Sequence, residues 1–254
     1  MPALVIDTDT WLSEVMGRPV WKVATRSATS NTAGISDGLM GKDVIGKDAA
    51  RSLEMPGFKY AKVPVAEVAT IQALESRGFR FVDVAVDLQA TNLPAAMDVQ
   101  CGSLRPAIPS DASAVTELAR SSFVWSRFHQ DPLVPKKLAD EIKSRWAGNF
   151  FHGLRGDHMV VAEDDGKIEG FLQLLSAKDG ALVIDLVAVG ARLRGRGVAG
   201  AMIIFAEKTW GQGMGMRVGT QLANSTSLGL YRRMGFSQVG ANVVLHHHQP
   251  AGSN

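Results

Sequence analysis

The segment from Arg192 to Gly197, RLRGRG, has the residue types and spacing of an anion site. It follows an almost continuously apolar run, Ala181 to Val189, and precedes a stretch with helical periodicity, Val198 to Trp210. Glycines let the backbone bend and come close to a ligand. The free N–H groups at the start of a helix and the helix dipole favour negative charge. Because three arginines add positive potential, the segment predicts a pyrophosphate site.

The spacing of this segment separates it from other pyrophosphate sites. It lacks the G-x-x-x-x-G-K-[ST] pattern of a P-loop and the three-glycine G-x-G-x-x-G pattern of a dinucleotide fold. Its Arg-x-x-Gly-x-Gly spacing resembles the coenzyme A loop of the GNAT superfamily of acetyltransferases. The preceding IDLVAV at 184–189 is similar to the fourth strand of that family, and Asn224 through Tyr231 to Gly235-Phe236 is similar to its closing element. The resemblance covers residues 104–248.

The resemblance implies acetyl transfer from acetyl-CoA to a primary amine, by direct attack in a ternary complex. Backbone amides of Leu193 to Ala199 would hold the pyrophosphate, and the edge of Val187 to Val189 would pair with pantetheine and supply an oxyanion donor. Tyr231 would protonate the departing thiolate, which leaves poorly without an acid. Asn224 would either bind the cofactor or cap the following helix. The predicted cofactor-binding residues are Val187, Ala188, Val189, Arg192, Leu193, Arg194, Gly195, Arg196, Gly197, Val198, Ala199, Asn224 and Tyr231.

A second segment, SRFHQDP at 126–132, predicts the acceptor side of the site. It is similar to the S-R-F…-P segment of bacterial TDP-fucosamine acetyltransferases, which acetylate amino groups on nucleotide-linked deoxysugars. Arg127 could bind a diphosphate bidentately, and His129 could accept the amine proton and act as a catalytic residue beside Tyr231. The predicted substrate-binding residues are Arg127, His129, Asp131 and Trp146. Alternatively, Arg127 and Asp131 form a structural ion pair with His129 at the surface, and Asp185 or Glu163 is the base.

Other functions stay open at this point. A GNAT enzyme could act on an antibiotic, a polyamine or a protein N-terminus, or the chain could be a non-catalytic acyl-CoA sensor or grip RNA with its RLRGR segment. A net charge of +2 and the absence of aromatic stacking motifs argue against nucleic acid. The retained Tyr231 argues against a sensor. We therefore expect a small-molecule amine as the partner of the enzyme, and a homodimer is possible.

Composition predicts a cytoplasmic protein without metal. The single cysteine among 254 residues, Cys101, can form neither an internal disulfide nor a Cys-cluster metal site. The N-terminal sequence MPALVIDTDTWLSE has no secretory pattern, and no run reaches the ~20 apolar residues that span a bilayer. The three histidines at 246–248 suggest a tag remnant or a metal site. Because neighbouring strand residues point to opposite faces, these histidines cannot all bind one ion.

The elements that would position these residues predict an α/β protein of the GNAT fold, with a mixed central sheet flanked by helices. A smaller α/β part-domain resembling half a GNAT unit would occupy residues 1–100, with the catalytic domain at 103–248 and a linker at 89–103. In the first half we expect a strand at 3–6, loops over 24–50, a helix from Val65 to Arg77 and a strand from Phe79 to Leu88. The role of residues 24–60 is unassigned.

The second half predicts strands alternating with helices, the order of an α/β sheet. The predicted strands are Leu104–Ile108, His158–Glu163, Ile168–Leu175, Ala181–Val189, Arg217–Leu222 and Ser237–His247. The predicted helices are Ala112–Phe123, Lys136–Phe151, Val198–Trp210 and Thr226–Met234, with a loop over Ser126–Pro135. The layout of residues 73–88 also matches that of 229–244, so that Gly78 aligns with Gly235, which suggests an internal repeat.

Overall fold

The computed structural model describes residues 4–25, 53–96, 99 and 102–250. The first part of the chain forms β1 (Leu4–Thr8), α1 (Thr10–Met16), β2 (Val20–Thr25), β3 (Gly57–Pro64), α2 (Val68–Glu75) and β4 (Arg80–Ala90). The second part forms β5 (Ser103–Pro106), α3 (Ala112–Ser122), α4 (Arg127–Gln130), α5 (Lys136–Gly148), β6 (His158–Asp164), β7 (Lys167–Ser176), β8 (Leu182–Val189), α6 (Val198–Trp210), β9 (Met216–Gln221), α7 (Ser225–Arg233) and β10 (Ser237–Gln249). Cys101 and most of 24–60 lie outside the described residues.

One mixed sheet of ten strands organises the described part of the chain, in the order β1-β2-β3-β10-β4-β9-β8-β7-β6-β5. The β2–β3 and β8–β9 pairs are parallel, and the other pairs are antiparallel. The predicted mixed sheet is therefore confirmed. Strand β4 lies between β9 and β10, so the first half of the chain contributes a strand to the middle of the second half's sheet. The expected linker connects β4 to β5, but both predicted domains share this sheet.

Helices cover both faces of the sheet. On one face, α6 and α7 bury residues such as Met202 and Tyr231 against Leu172 and Val218, while α2 covers the β3 and β10 end through Leu74. On the other face, α3 and α5 pack against Phe171 and Leu186, and α1 and α4 pack against Phe58. Buried apolar side chains on both faces are the main source of stability in such a sheet. None of the described helices has the length and apolar character needed to cross a membrane.

The corner before β4 has the same local structure as the corner before β10. Gly78 and Gly235 have φ values of 86° and 84°, which only glycine adopts readily. The next residue in each case is a buried phenylalanine, whose N–H donates to the carbonyl of Leu74 or Tyr231. The two following strands are antiparallel neighbours in the sheet. The predicted repeat of layout is therefore present in the structure.

Most predicted elements of the second half are confirmed to within a few residues, and Val198–Trp210 matches at both ends. The predicted loop over 126–135 is partly wrong, because Arg127–Gln130 forms one helical turn. In the first half, the sequence interpretation missed α1, β2 and β3. Helix α1 carries a detectable signal: the Asp9 carboxylate accepts a hydrogen bond from the Leu12 N–H (2.9 Å), and Gly17 ends the helix at φ 63°.

Candidate active site

The sheet opens between β8 and β9. Their parallel pairing stops at Ile184 and Val218, although both strands continue. On the other side of β8, Gln173 pairs with Leu186 and Leu174 with Ile184, so Asp185 is the extra residue of a bulge. Bulges bend a strand, and beyond this one the β8 edge facing β9 has no strand partner among the residues that the structure describes. A cavity of about 510 Å³ occupies the opening. Its walls include the predicted pantetheine edge, Val187 to Val189.

The N-terminal end of α6 faces this cavity. Gly195 and Gly197 both have φ 77°, and Gly197 is the N-cap residue directly before α6. A Cβ atom on Gly195 would meet no atom within 4 Å, so its exposed side is open space. Leu193, Arg194, Gly195, Gly197, Val198 and Ala199 all line the cavity. Unpaired amides, a helix dipole and an arginine in this arrangement fit an anionic pyrophosphate.

The three arginines of the loop have different surroundings. The Nε atom of Arg194 lies 3.0 Å from the Val189 carbonyl oxygen, at the cavity wall. Arg192 turns instead toward the β6–β7 hairpin, where it forms ion pairs with Asp164 (2.8 Å) and Glu169 (3.2 Å). Neither Arg192 nor Arg196 is among the residues that line the cavity. The structure therefore does not bring these two predicted cofactor-binding residues to the site, because acidic side chains distant in sequence hold Arg192 elsewhere.

Tyr231 and Asn224, both predicted from the closing element, lie at the cavity. The Tyr231 side chain is buried against Phe236 (5.3 Å between ring centres) and forms no hydrogen bond with any described residue. Burial raises the pKa of its phenol, so Tyr231 carries its proton at neutral pH. The Asn224 Oδ1 atom accepts a hydrogen bond from the Ser227 N–H (3.1 Å). Of the two predicted roles for Asn224, this geometry is that of a helix cap.

The predicted acceptor residue His129 belongs to α4 and is held against α5. Its Nδ1 atom lies 2.6 Å from the Ser126 hydroxyl, and its Nε2 atom lies 3.0 Å from an Asp140 carboxylate oxygen. The side chain is 5% exposed, and burial lowers its pKa despite the nearby carboxylate. Both ring nitrogens are therefore engaged, and His129 does not line the cavity.

Arg127 and Asp131 form no direct ion pair in the described part of the chain, because His246 lies between them. The Arg127 guanidinium stacks 3.8 Å from the centre of the Tyr60 ring, and its Nη1 atom lies 3.4 Å from His246 Nε2. His246 Nδ1 in turn lies 2.6 Å from Asp131 Oδ2. The structural ion pair that the sequence left open is thus replaced by a chain of contacts through a histidine.

Asp131, His246 and His248 bring their ligand-type atoms within 4.8 Å of one another. The expected alternation is confirmed for His247, which lies on the opposite face of β10 against Phe79. The sequence interpretation overlooked that His246 and His248, two residues apart, share a face. The other nitrogen of each ring faces an arginine, Arg127 for His246 and Arg18 for His248 (3.1 Å). The observed arrangement is that of a buried hydrogen-bond network.

The two alternative bases named from the sequence are also engaged. The Asp185 carboxylate accepts hydrogen bonds from Arg155 (2.7 and 2.9 Å), Trp146 Nε1 (2.9 Å) and Gln173 Nε2 (3.1 Å). Trp146, predicted to contact the substrate, therefore orients Asp185. Glu163 lies on β6, where it pairs with Arg105 (2.9 Å), and it does not line the cavity.

Lys143 is a site residue that the sequence interpretation missed. It lines the cavity and is only 8% exposed, and its ammonium forms no hydrogen bond with any described residue. Its ammonium lies 5.0 Å from the centre of the Phe123 ring and 4.6 Å from that of Trp146. Burial lowers its pKa to about 8; Asp185 opposes this effect, and Arg127 and other cations add to it. A detectable signal was its place among Ala139, Ile142 and Ala147 on the buried face of α5.

One segment of the chain matches a known protein domain. A model of the acetyltransferase (GNAT) domain matches residues 155–238. The chain contains a GNAT acetyltransferase domain. It is also 28% identical over 238 residues to the spore coat polysaccharide biosynthesis protein SpsD of Bacillus subtilis, covering 92% of this chain and 79% of SpsD.

Solved structures show the same fold over nearly the whole chain. A GCN5-related N-acetyltransferase from Sphaerobacter thermophilus superposes with a TM-score of 0.61 at 16% identity, covering 99% of this chain and 78% of that protein. A GCN5-related N-acetyltransferase from Kribbella flavida superposes with a TM-score of 0.55 at 14% identity, covering 99% of this chain and 89% of that protein. The predicted GNAT fold is thereby confirmed.

The matched GNAT segment includes β8, the glycine loop, α6 and α7. The protein is accordingly an acetyl-CoA-dependent N-acetyltransferase, as its sequence predicted. In the described part of the chain, the glycine loop at the start of α6 and the β8 edge beyond Ile184 both border the cavity. The match to this domain does not determine which amine receives the acetyl group.

Proposed function

We propose that this GNAT enzyme acetylates a primary amine on a nucleotide-linked amino sugar. The observation that carries the proposal is a group of cations close to Lys143, which itself lines the cavity. Arg127, Lys62 and Arg155 all lie near enough to Lys143 to lower its pKa. A diphosphate link carries negative charge that such a group would neutralise, and guanidinium groups bind phosphate oxygens in a bidentate manner.

Lys62 is the solvent-exposed member of this group of cations. Its side chain is exposed, yet the surrounding walls remove part of its hydration, which lowers its pKa. Arg127, Lys22 and Arg155 lower it further, and Asp87 opposes them. Like charges held together raise the free energy of the unliganded protein, so an anion that enters the cleft relieves this repulsion. A polyamine or an aminoglycoside would add to the repulsion instead.

A relative supports the sugar part of the proposal. SpsD, with which this chain shares 28% identity, is named for the biosynthesis of spore coat polysaccharide. A polysaccharide pathway requires activated sugars, and nucleotide diphosphates are carriers that meet the charge requirement of the cleft. The name and the cations point to the same class of acceptor.

The residues of the site would divide the chemistry as follows. Amides at the start of α6 would hold the pyrophosphate, and a backbone N–H of the β8 edge between Val187 and Val189 would stabilise negative charge on the thioester carbonyl oxygen. The acceptor amine attacks that carbonyl carbon directly, in a ternary complex. Tyr231 would give its phenol proton to the departing sulfur, because its pKa keeps it protonated and its hydroxyl forms no hydrogen bond with any described residue.

A thiol-release assay with acetyl-CoA tests the acceptor class. The panel contains TDP-linked amino sugars, the matching free amino sugars, polyamines, aminoglycosides and a peptide with a free N-terminus. We expect the highest kcat/KM with a TDP-linked amino sugar, and a loss of about tenfold or more when the diphosphate is absent. Turnover only with polyamines or only with peptides would refute the proposal.

Two arginine variants sharpen this test. Arg127→Met should raise KM for the TDP-linked acceptor while leaving KM for the free amino sugar within about threefold, because only the former carries the diphosphate. The matched control is Arg192→Met, which removes an arginine held by Asp164 and Glu169 outside the cavity. The control should leave both constants unchanged.

A further inference from the structure

Lys143 points into the cavity from the side opposite the glycine loop. It belongs to α5, whereas Tyr231 and the loop that precedes α6 belong to the other face of the sheet. The β8 edge, where the acetyl group must be held, runs between these two sides. An acceptor amine that attacks from the α5 side would meet Lys143 first. The lysine has no hydrogen-bond partner among the described residues, so its nitrogen is available to a ligand.

The other titratable side chains of the cavity are unsuited to accept a proton from the amine, which also points to Lys143. The titratable side chains that line the described cavity are Lys143, Asp185, Arg194, Tyr231 and Arg233. The two arginines cannot give up a proton in the physiological range. Asp185 already accepts hydrogen bonds from three side chains, Arg155, Trp146 and Gln173. Tyr231 is protonated and suits an acid. Only Lys143 has a nitrogen that can bind a proton and is not already engaged.

We propose that Lys143 is the catalytic residue that takes the proton from the acceptor amine. The neutral Lys143 amine accepts a proton from the nitrogen of the acceptor as the new C–N bond forms and the C–S bond breaks. Tyr231 gives its proton to the sulfur in the same reaction. The enzyme is left with a Lys143 ammonium and a Tyr231 phenolate, and proton transfer through solvent restores both groups.

The surroundings of Lys143 suit both of its charge states. Burial and the cations Arg127, Lys62 and Arg155 favour the neutral amine before the reaction, and its pKa of about 8 leaves a working fraction neutral near pH 7 to 8. Afterwards, the faces of Phe123 and Trp146 and the carboxylate of Asp185 stabilise the ammonium. A group whose two states are nearly balanced in this way is suited to general base catalysis.

The proposal rests on acetyl transfer to an amine and not on which amine is accepted. Its test therefore uses whichever amine of the panel is turned over best, so failure with nucleotide-linked sugars leaves the test of Lys143 intact. The Lys143→Arg variant keeps the positive charge but cannot act as a base. The Lys143→Met variant has neither the charge nor a basic group. The matched control is Lys137→Met, an exposed lysine on the same helix. Acetyl-CoA affinity, measured by calorimetry, reports that each variant is folded.

We expect kcat at saturating acceptor to fall by about 10²-fold or more in both Lys143 variants, the range of general base catalysis. The rise of kcat with pH near 8 should disappear in them and persist in Lys137→Met. In Lys143→Ala, a tertiary amine, which cannot itself be acetylated, should restore part of the rate. If Lys143→Arg keeps kcat within threefold with the wild-type pH profile, Lys143 provides only a positive charge and the proposal is wrong. Unchanged kcat in Lys143→Met would refute it as well.

Discussion

The Asp131 carboxylate lies 2.6 Å from Nδ1 of His246, a residue 115 positions later in the chain. This contact joins the segment between α4 and α5 to the last strand of the sheet. Asp131 also accepts a hydrogen bond from His248 (2.7 Å). Burial by itself would raise the pKa of Asp131, but these two hydrogen bonds outweigh it and hold the pKa well below its usual range. The other nitrogen of His246 faces Arg127, so a buried anion orients a cation of the acceptor cleft through a histidine.

Asp131→Asn should therefore weaken acceptor binding without touching the acceptor. Loss of the charge weakens two hydrogen bonds, each worth about 1.5–3 kcal/mol when one partner is ionised. We expect KM for the acceptor to rise about tenfold, the affinity for acetyl-CoA to stay constant, and the free energy of unfolding to drop by about 2–3 kcal/mol. Steady-state kinetics, calorimetry and urea unfolding measure the three effects. An unchanged acceptor KM would show that this network does not position Arg127.

His246 makes the free energy of unfolding depend on pH. Burial lowers its pKa to about 4 from an ordinary 6.5, and the hydrogen bond to Asp131 only partly offsets this. Between pH 6.5 and 4 the unfolded chain binds a proton that the folded chain does not, so stability is full above 6.5 and declines as the pH falls. The shift corresponds to a loss of at most about 3 kcal/mol. Asp131 adds to this decline only near pH 4, where the unfolded chain begins to protonate a carboxyl whose ordinary pKa is 3.8 and the folded chain does not.

The measurement is urea unfolding at a series of pH values from 8 to 4. His246→Gln should show a flatter dependence than the wild type over this window, whereas His152→Gln, which changes an exposed histidine, should keep the wild-type slope. Equal slopes in all three proteins would contradict the assignment of this dependence to His246.

Tyr231→Phe separates chemistry from cofactor binding. The substitution removes one hydroxyl that forms no hydrogen bond with any described residue, so the fold and the affinity for acetyl-CoA should be preserved. We expect kcat to fall by about 10²–10⁴-fold, the range for loss of a general acid. Single-turnover measurement of thiol release checks this prediction. An unchanged rate would remove Tyr231 from the reaction.

Gly195 in the cofactor loop can be tested against Gly213, a glycine of similar conformation outside that loop. Both have a positive φ, 77° and 74°, and a Cβ on either would meet no atom within 4 Å. Alanine at either position costs about 1–2 kcal/mol of backbone strain. Only Gly195 lines the cavity, so Gly195→Ala should weaken acetyl-CoA binding by about tenfold while Gly213→Ala leaves it unchanged. Similar binding by both variants would place the pyrophosphate elsewhere.

The sequence predicted what depends on local pattern and missed what depends on distant partners. The apolar run of β8, the glycine loop and α6 are contiguous, and periodicity with turn chemistry was sufficient to find them. The position of β4 between β9 and β10 was not predictable, because strand order depends on pairing across more than a hundred residues. The hydrogen bonds of His129 with Asp140 and of Asp185 with Arg155 could not be predicted for the same reason. Lys143 was detectable, since a lysine on the buried face of a helix is unusual.

Arg192 and Arg194 provide the sharpest test of where sequence and structure differ. Both belong to the predicted cofactor loop, but Arg192 is paired with Asp164 and Glu169, whereas Arg194 lies at the cavity wall beside Val189. Arg194→Gln should weaken acetyl-CoA binding severalfold, and more so at low ionic strength, because salt screens a solvent-exposed charge. Arg192→Gln should leave that affinity within twofold at any salt concentration. Calorimetric titration at two ionic strengths measures both, and a loss of affinity in Arg192→Gln equal to that in Arg194→Gln would show that Arg192 leaves its acidic partners to bind the cofactor.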